Sequence, residues 1–443
     1  MVSRILPLSC ALALLLSTAG GARVSWSAQP DQPALGDEAL SHLSAAVGIQ
    51  GATRARLGVL GDAFSCPDAR FVSFRRSDAE PELVDQWYVA SQLWADALLL
   101  VGPNQQPGAQ PDIAGWDPID TRCYLDKGFV FLDRLWDFTS AGYFPRANPV
   151  GTSVENKVRF TDDNLIAGLA LLDTARTTTD PLAVRRYIHA AQREADFLQG
   201  SGLWDTTFGG GFWWNTGRGD SEEGKPAQTN ALAGLFFARL YAATGDASYR
   251  DWALRSLLWL DTILWEPTRN LYRWSVAFED IPHRTGAVVH PRYFNYDQGI
   301  AIEAQLAAIE LDGDANRLAR AQAVGRAMHD AFWSAETGGY NLEAGIDQVY
   351  ASYGAWTSLG HLALYAQDAD PAWLDLARSN ARALEARLRE TDDGFALRSY
   401  RCVDRVAKGC ESGQVTIVVD HTRDTSAQAW VQHLQTALAY ALR

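Results

Sequence analysis

The stretch GDASYRDWALRS, residues 245–256, has three relatives in the chain: TDPLAVRRYIHAA (179–191), GDANRLARAQAV (313–324) and ADPAWLDLARSN (369–380). Each carries an aspartate (Asp180, Asp246, Asp314, Asp370) followed by a run that packs as a helix through its alanines. The carboxylate is the expected N-cap, because it accepts backbone N–H groups that a helix start leaves unpaired. Proline follows it in two of the four. The aspartates lie 66, 68 and 56 residues apart. That period fits two helices joined by one tight turn and one long connection. DGDANR is no calcium loop, since Arg317 stands where the sixth-position glycine is needed and Ala323 where the glutamate is.

An apolar helical run precedes each cap, at 163–173, 228–243, 297–311 and 353–365. Further helices are expected near 82–101, 125–139 and 425–442, with a first one around 37–47. The total is about twelve, or six hairpins. Strand signals are few, GQVTIVVD (413–420) being the best. The reading is one all-α domain of stacked hairpins. The pattern leaves open whether the stack closes into a toroid. Every unit places its tight turn at one end, so the long loops gather at the other, where a binding site is expected.

The N-terminus, MVSRILPLSCALALLLSTAGGA, has one arginine, an apolar core over 5–16 and small residues ending at Ala22. It reads as a signal peptide (1–22), with Ala28 as a second cleavage candidate, followed by a linker over 23–36. Cys10 argues little for lipidation, because most of the apolar core follows it. Without the leader, 38 basic residues face 53 acidic ones, a net charge of −15. A uniformly acidic chain is a poor partner for nucleic acid or anionic lipid. No later stretch is long enough to span a bilayer. The expectation is a secreted or periplasmic monomer. Of the four remaining cysteines, Cys402 and Cys410 enclose a short polar loop, which favours Cys402–Cys410 and Cys66–Cys123. No C-x-x-C or H-x-x-x-H spacing suggests a metal, and no cofactor is expected.

The long loops carry the unusual residues. GGGFWWNTG (209–217) has no lysine and follows no strand, so it is a poor phosphate cradle. Its glycines allow Trp213 and Trp214 to project, with Asn215 offering an amide to hydroxyl groups. Neighbouring tryptophans cannot both face one cleft easily, so one of them has a structural reading. The chain's 16 tryptophans suit both a large core and the packing of sugar rings. In YFNYDQG (293–299), Tyr296, Asp297 and Gln298 begin another inner helix, as contacts for a ligand or as its cap. In FTDDNLIAGLALLD (160–173), Asp162 and Asp163 sit where a helix begins. In isolation they read as a cap and its acidic first turn. No G-x-S-x-G occurs, and the eight histidines are scattered. A sugar epimerase would need histidines as acid and base. Only His361 lies in a strong inner-helix pattern, where a core role is the simpler reading.

TDDN, GGGFWWNTG, QTNALAGLFFARLYAATGD and FNYDQG, in that order, resemble the motifs of glycoside hydrolase family 76, the endo-acting α-1,6-mannanases and their relatives. The resemblance spans roughly 87–311 and continues more loosely beyond. It implies a closed (α/α)6 barrel of six hairpins over 37–443, acting on α-mannan polymers or oligosaccharides. By that likeness Asp162 is the nucleophile and Asp163 the general acid/base of a retaining mechanism. Asn230, in the third motif, joins Trp213, Trp214, Asn215, Tyr296, Asp297 and Gln298 as substrate-binding residues. Retention needs carboxylates about 5–5.5 Å apart, which adjacent residues at a helix entry can reach. Two departures stand out: Leu165 and Ile166 replace aromatics after the pair, and Tyr296-Asp297-Gln298-Gly299 replaces Y-N-Q-G. A transglycosylase of this fold and a non-catalytic glycan-binding barrel are the alternatives.

Overall fold

The computed structural model describes residues 35–104, 113–154, 157–402 and 417–442. The leader, nearly all of the linker, Cys410 and the first half of the expected strand at 413–420 lie outside them. The described residues hold twelve α-helices. They are α1 Asp37–Leu57, α2 Gln86–Asn104, α3 Pro118–Leu135, α4 Thr161–Ala175, α5 Pro181–Gly200, α6 Ala227–Thr244, α7 Ala247–Ile263, α8 Asn295–Asp312, α9 Asn316–Phe332, α10 Ala351–Asp368, α11 Pro371–Leu388 and α12 Thr425–Ala441.

Even-numbered helices form the inner ring. Each packs on the next, from α2 through α4, α6, α8 and α10 to α12, and α12 returns to α2. The toroid is therefore closed, an (α/α)6 barrel. Odd-numbered helices form the outer ring. The sixth hairpin is made by the two chain ends, because α1 packs along α12. Burial follows this division. Every residue of α4 is buried except Asp163, whereas α5 buries a stripe of Tyr187, Ala191, Glu194, Ala195 and Leu198.

Asp180, Asp246 and Asp370 cap α5, α7 and α11 by accepting the N–H groups of Leu182, Ser248 and Ala372. At α9 the helix starts one residue late, with Ala315 at the cap position. Asp314 still accepts the Asn316 N–H at 2.9 Å. Inner helices begin differently. Phe160, Pro226, Phe294 and Tyr350 precede α4, α6, α8 and α10, and none offers a capping side chain. These four starts thus open toward the mouth rather than being sealed by their own caps, whereas α12 is capped by Asp424, which accepts the Ala427 N–H at 2.6 Å.

Under the mouth, Trp356 stacks on Trp430 with ring centroids 4.4 Å apart, and Trp87 and Trp94 pack against Trp430. At the other end Arg239 of α6 reaches Asp173 of α4 at 3.2 Å and Glu303 of α8 at 3.8 Å. Cys66 and Cys123 are joined, tying the loop after α1 to α3. Cys402 is also disulfide-bonded, while Cys410 lies outside the described residues. Among the described residues no helix is long and apolar enough to cross a membrane.

Candidate active site

Asp162 and Asp163 are the second and third residues of α4. The cap reading does not hold: Phe160 occupies the cap position without a side-chain bond. Instead, Asp162 Oδ1 accepts the Asp163 N–H at 3.1 Å, and its Oδ2 accepts Trp214 Nε1–H at 3.0 Å. Gln228, from the first turn of α6, adds a further side-chain hydrogen bond to Asp162. The Asp163 carboxylate has no side-chain hydrogen bond among the described residues. Its backbone carbonyl accepts from Gln86 Nε2 at 2.9 Å, which ties α4 to α2.

The aromatic loop is zipped onto the start of α4. Phe160 and Asn215 form a β-bridge. Thr161 N–H donates to Trp214 O at 2.8 Å, and Thr161 Oγ1 donates to Trp213 O at 2.6 Å. Gly211 shows why glycine is needed: φ is +83°, and an added Cβ would lie 2.4 Å from the Trp259 ring. Beneath the loop, Lys225 is buried and donates to Asp205 Oδ1 at 2.8 Å and to the carbonyls of Thr207 and Gly210 at 2.7 and 2.6 Å. Its ammonium lies 4.6 Å from the centre of the Trp213 ring.

These contacts divide the two tryptophans. Trp214 is half-buried, and its indole N–H orients a carboxylate. Trp213 is 2 % exposed and donates from Nε1 to Asp205 at 2.8 Å. It has no free face for a sugar, so its expected substrate contact is corrected to a core role. Asn215 uses its side-chain oxygen on its own turn, accepting the Gly217 N–H at 2.7 Å.

Asn230 and Gln298 also require correction. Asn230 accepts from Phe212 N at 2.7 Å and donates to Phe212 O and Pro226 O. Gln298 accepts from Tyr272 N at 2.7 Å and donates to Tyr272 O and Phe294 O. Both are fully buried. Asn164 does the same with Tyr143 N and Phe160 O, and Gln428 with Phe395 N and O. All four amides stand at the fourth residue of an inner helix. Each satisfies the backbone of an aromatic residue in the connection before it. They build the mouth and do not line it.

Tyr296 stays at the mouth, half-buried, its ring centroid 4.8 Å from Tyr353 and 6.1 Å from Trp356. Asp297 lies below it, fully buried, with Oδ1 accepting the Gln228 N–H at 3.0 Å and Oδ2 unpartnered. A residue so enclosed cannot touch substrate. It acts on the site only through Gln228.

Several residues here carry no sequence signal of their own. Asp85 and Arg146 are 61 positions apart, yet pairing of Val84–Asp85 with Arg146–Ala147 places them 3.7 Å apart beside the aspartate pair. Burial pushes Asp163 well above the ordinary carboxylate range, and the charges of Asp162 and Asp85 push the same way against Arg146. Burial also raises Asp162, to about 6, while the bonds from Trp214, the Asp163 backbone and Gln228 pull it back. The two groups are driven apart: Asp163 keeps its proton more readily, and Asp162 is the better anion. A nucleophile and a proton donor need that division.

Residues 147–394 match the family model of glycosyl hydrolase family 76. No curated protein matches the chain. Among solved structures, a family 76 glycoside hydrolase from a bovine Bacteroides thetaiotaomicron strain superposes with TM-score 0.67 at 19 % identity, over 90 % of this chain and 77 % of that one. An inactive variant of an α-1,6-mannanase from Salegentibacter sp. HEL1_6, with two consecutive aspartates changed to asparagine and α-1,6-mannotriose bound, gives TM-score 0.62 at 17 % identity, over 90 % and 99 %. The cellobiose 2-epimerase of Spirochaeta thermophila gives 0.64 at 17 % identity, over 90 % and 96 %. At such identities the superpositions show the fold alone.

Proposed function

The chain belongs to glycosyl hydrolase family 76, and we propose that it is an exported, retaining endo-glycosidase acting on α-1,6-linked mannose polymers. The observation that carries this reading is the unequal setting of two adjacent carboxylates at one helix start. Asp162 is held by three donors and Asp163 by none at its carboxylate. In the first step Asp162 attacks the anomeric carbon while Asp163 gives its proton to the departing glycosidic oxygen. The C1–O bond breaks and an ester to Asp162 forms. In the second step Asp163 takes a proton from water, whose oxygen displaces Asp162 and restores the α configuration. Trp214 and Gln228 fix the attacking oxygens, and Tyr296 offers a ring edge and hydroxyl beside them.

An epimerase has less support, because the histidines of the inner helices, His361 and His433, are buried against Trp373 and Trp430. The choice of mannan rests on the family and on the mannanases among the superposed structures. The Cys66–Cys123 bond supports an oxidising compartment.

The test is digestion of yeast mannan, its debranched α-1,6 backbone and other polysaccharides, with the anomer of the first product read by NMR. Cleavage of the α-1,6 backbone with retention is expected. Asp162→Asn and Asp163→Asn should each lose at least about a thousandfold in rate with little change in Tm. The Asp163 variant should keep more turnover on an aryl mannoside, whose leaving group needs less protonation. Azide should partly rescue the Asp162 variant and give an inverted glycosyl azide. An inverted wild-type product, or full activity in either variant, sinks the mechanism.

A further inference from the structure

The strands Gln348–Tyr350, Arg398–Arg401 and Ile417–Asp420 form an antiparallel sheet at the rim, and the first runs directly into α10. Its register sets Tyr350 opposite Arg398 and Arg398 opposite Asp420. Residues directly opposite one another project from the same face of a sheet, so the three make one row. Arg398 Nη1–H donates to Tyr350 Oη at 2.6 Å, and Arg398 Nε–H to Asp420 Oδ2 at 3.3 Å. The side chains of Arg398 and Asp420 are 30 % and 27 % exposed, and Tyr350 is partly exposed.

The row continues the aspartate site. The Tyr350 ring meets Tyr353 edge-on at 5.7 Å, and Tyr353 lies 4.8 Å from Tyr296. Tyr353 is close enough to Asp162 and Asp163 to feel both charges. A path of aromatic rings thus runs from the carboxylates to an ion pair whose two members hold each other in place. An exposed ion pair adds little to stability. Its chemistry suits a pyranose: a ring packs on the sugar's C–H face, while a fixed guanidinium and carboxylate give and accept hydrogen bonds from neighbouring hydroxyls.

We propose that Tyr350, Arg398 and Asp420 form a distal glycan subsite, which grips a sugar unit removed from the scissile bond and favours long chains. This rests on the glycosidase reading above. It is tested with wild type, Tyr350→Ala, Arg398→Ala and Arg398→Lys on an aryl mannoside and on α-1,6-mannooligosaccharides from the disaccharide upward. Binding of the same ladder to each change in the Asp162→Asn background is measured by calorimetry. On the short substrates the variants should match wild type. On long ones kcat/KM should fall about tenfold through KM, with a matching loss of affinity and a milder loss for lysine. Cleavage by wild type with the same length dependence in the alanine variants overturns the subsite alone. So does an equal fall at every length. Neither cleavage nor binding of any mannooligosaccharide overturns the function and the subsite together.

Discussion

Asp297 is the third residue of α8, in the position of an expected asparagine. Its Oδ1 accepts from Gln228 N–H, a contact that an amide oxygen would make equally well. Burial raises its carboxyl well above the ordinary range, opposed only by that backbone bond. No charged neighbour acts on Asp297 itself; Tyr296, beside it on α8, feels Asp297, Tyr353, Asp162 and the guanidinium of Arg292. Burial thus favours the neutral acid, the form that can stand in for an asparagine here. Linkage gives the sign: a folded pKa raised above the unfolded value stabilises below about pH 4, and that contribution is lost as pH rises through the folded value. Asp297→Asn should match the parent near pH 4 and melt several degrees higher at pH 8. Melting curves at the two pH values check this. A variant less stable than the parent at pH 8 would show that the carboxylate is ionised and needed.

At the scale of elements, the sequence places one amide at the fourth residue of four inner helices, in TDDN, AQTN, NYDQ and TSAQ. Each bridges its helix start to an aromatic residue's backbone, at Tyr143, Phe212, Tyr272 and Phe395. Those aromatics mostly follow a tryptophan by a short antiparallel bridge, as in Trp136–Tyr143, Trp204–Phe212 and Trp265–Tyr272. The repeat is thus finer than the hairpin period: its amides hold the long loops that carry the site. Trp213 and Trp214 separate scaffold from chemistry within one such loop. Trp213→Ala removes a buried ring and should cost about 3–5 kcal/mol of stability. Trp214→Ala should leave Tm within a few degrees but cut kcat/KM, because Asp162 loses its indole donor. Thermal melts and kinetics on both variants decide this. The opposite pattern would reverse the two assignments.

For the whole molecule, the balance of buried carboxylates sets the response to pH. Burial pushes Asp85, Asp162 and Asp424 up to about 6 and Glu303 to about 7, and raises Asp163, Asp297 and Glu194 further. The stability these groups contribute is present below about pH 4 and lost as pH rises through their folded values. Asp173 runs the other way. Burial would raise it, but Arg239, Arg176 and the Trp94 N–H hold it at about 2. Its contribution is present above about pH 4 and disappears as pH falls toward 2. Asp205, Asp312, Glu390 and Asp420, also held below the ordinary range by their partners, act in the same sense as Asp173, as do His361 and His433, which burial lowers to about 3 and 4. Tm should therefore peak at about pH 5, fall below it as these groups take up protons, and fall above it toward pH 9 as the seven raised carboxyls lose theirs. A scan of Tm against pH checks this. A plateau from pH 6 to 9 would mean that these carboxyls are ionised in the fold.

The hairpin period, the outer-helix caps and the all-α class are written locally, because an aspartate cap and a 3.6-residue apolar stripe act within one turn or one helix. The order of the motifs placed the chain in its family, and the adjacency of Asp162 and Asp163 needs no tertiary contact. Closure of the ring was not legible in the helix pattern and came only from the family resemblance, since it depends on α12 meeting α2 across most of the length of the chain. Nor was the division of polar residues at the mouth. Asn230, Gln298 and Trp213 look like ligand contacts in one dimension, and only packing shows that backbone groups and Asp205 already occupy them. Asp85 and Arg146 meet the pair through two-residue strands too short to leave a pattern. A sequence fixes which side chains exist at a helix start. Which of them is left free for substrate depends on the partners folding brings to it, and those come from distant parts of the chain.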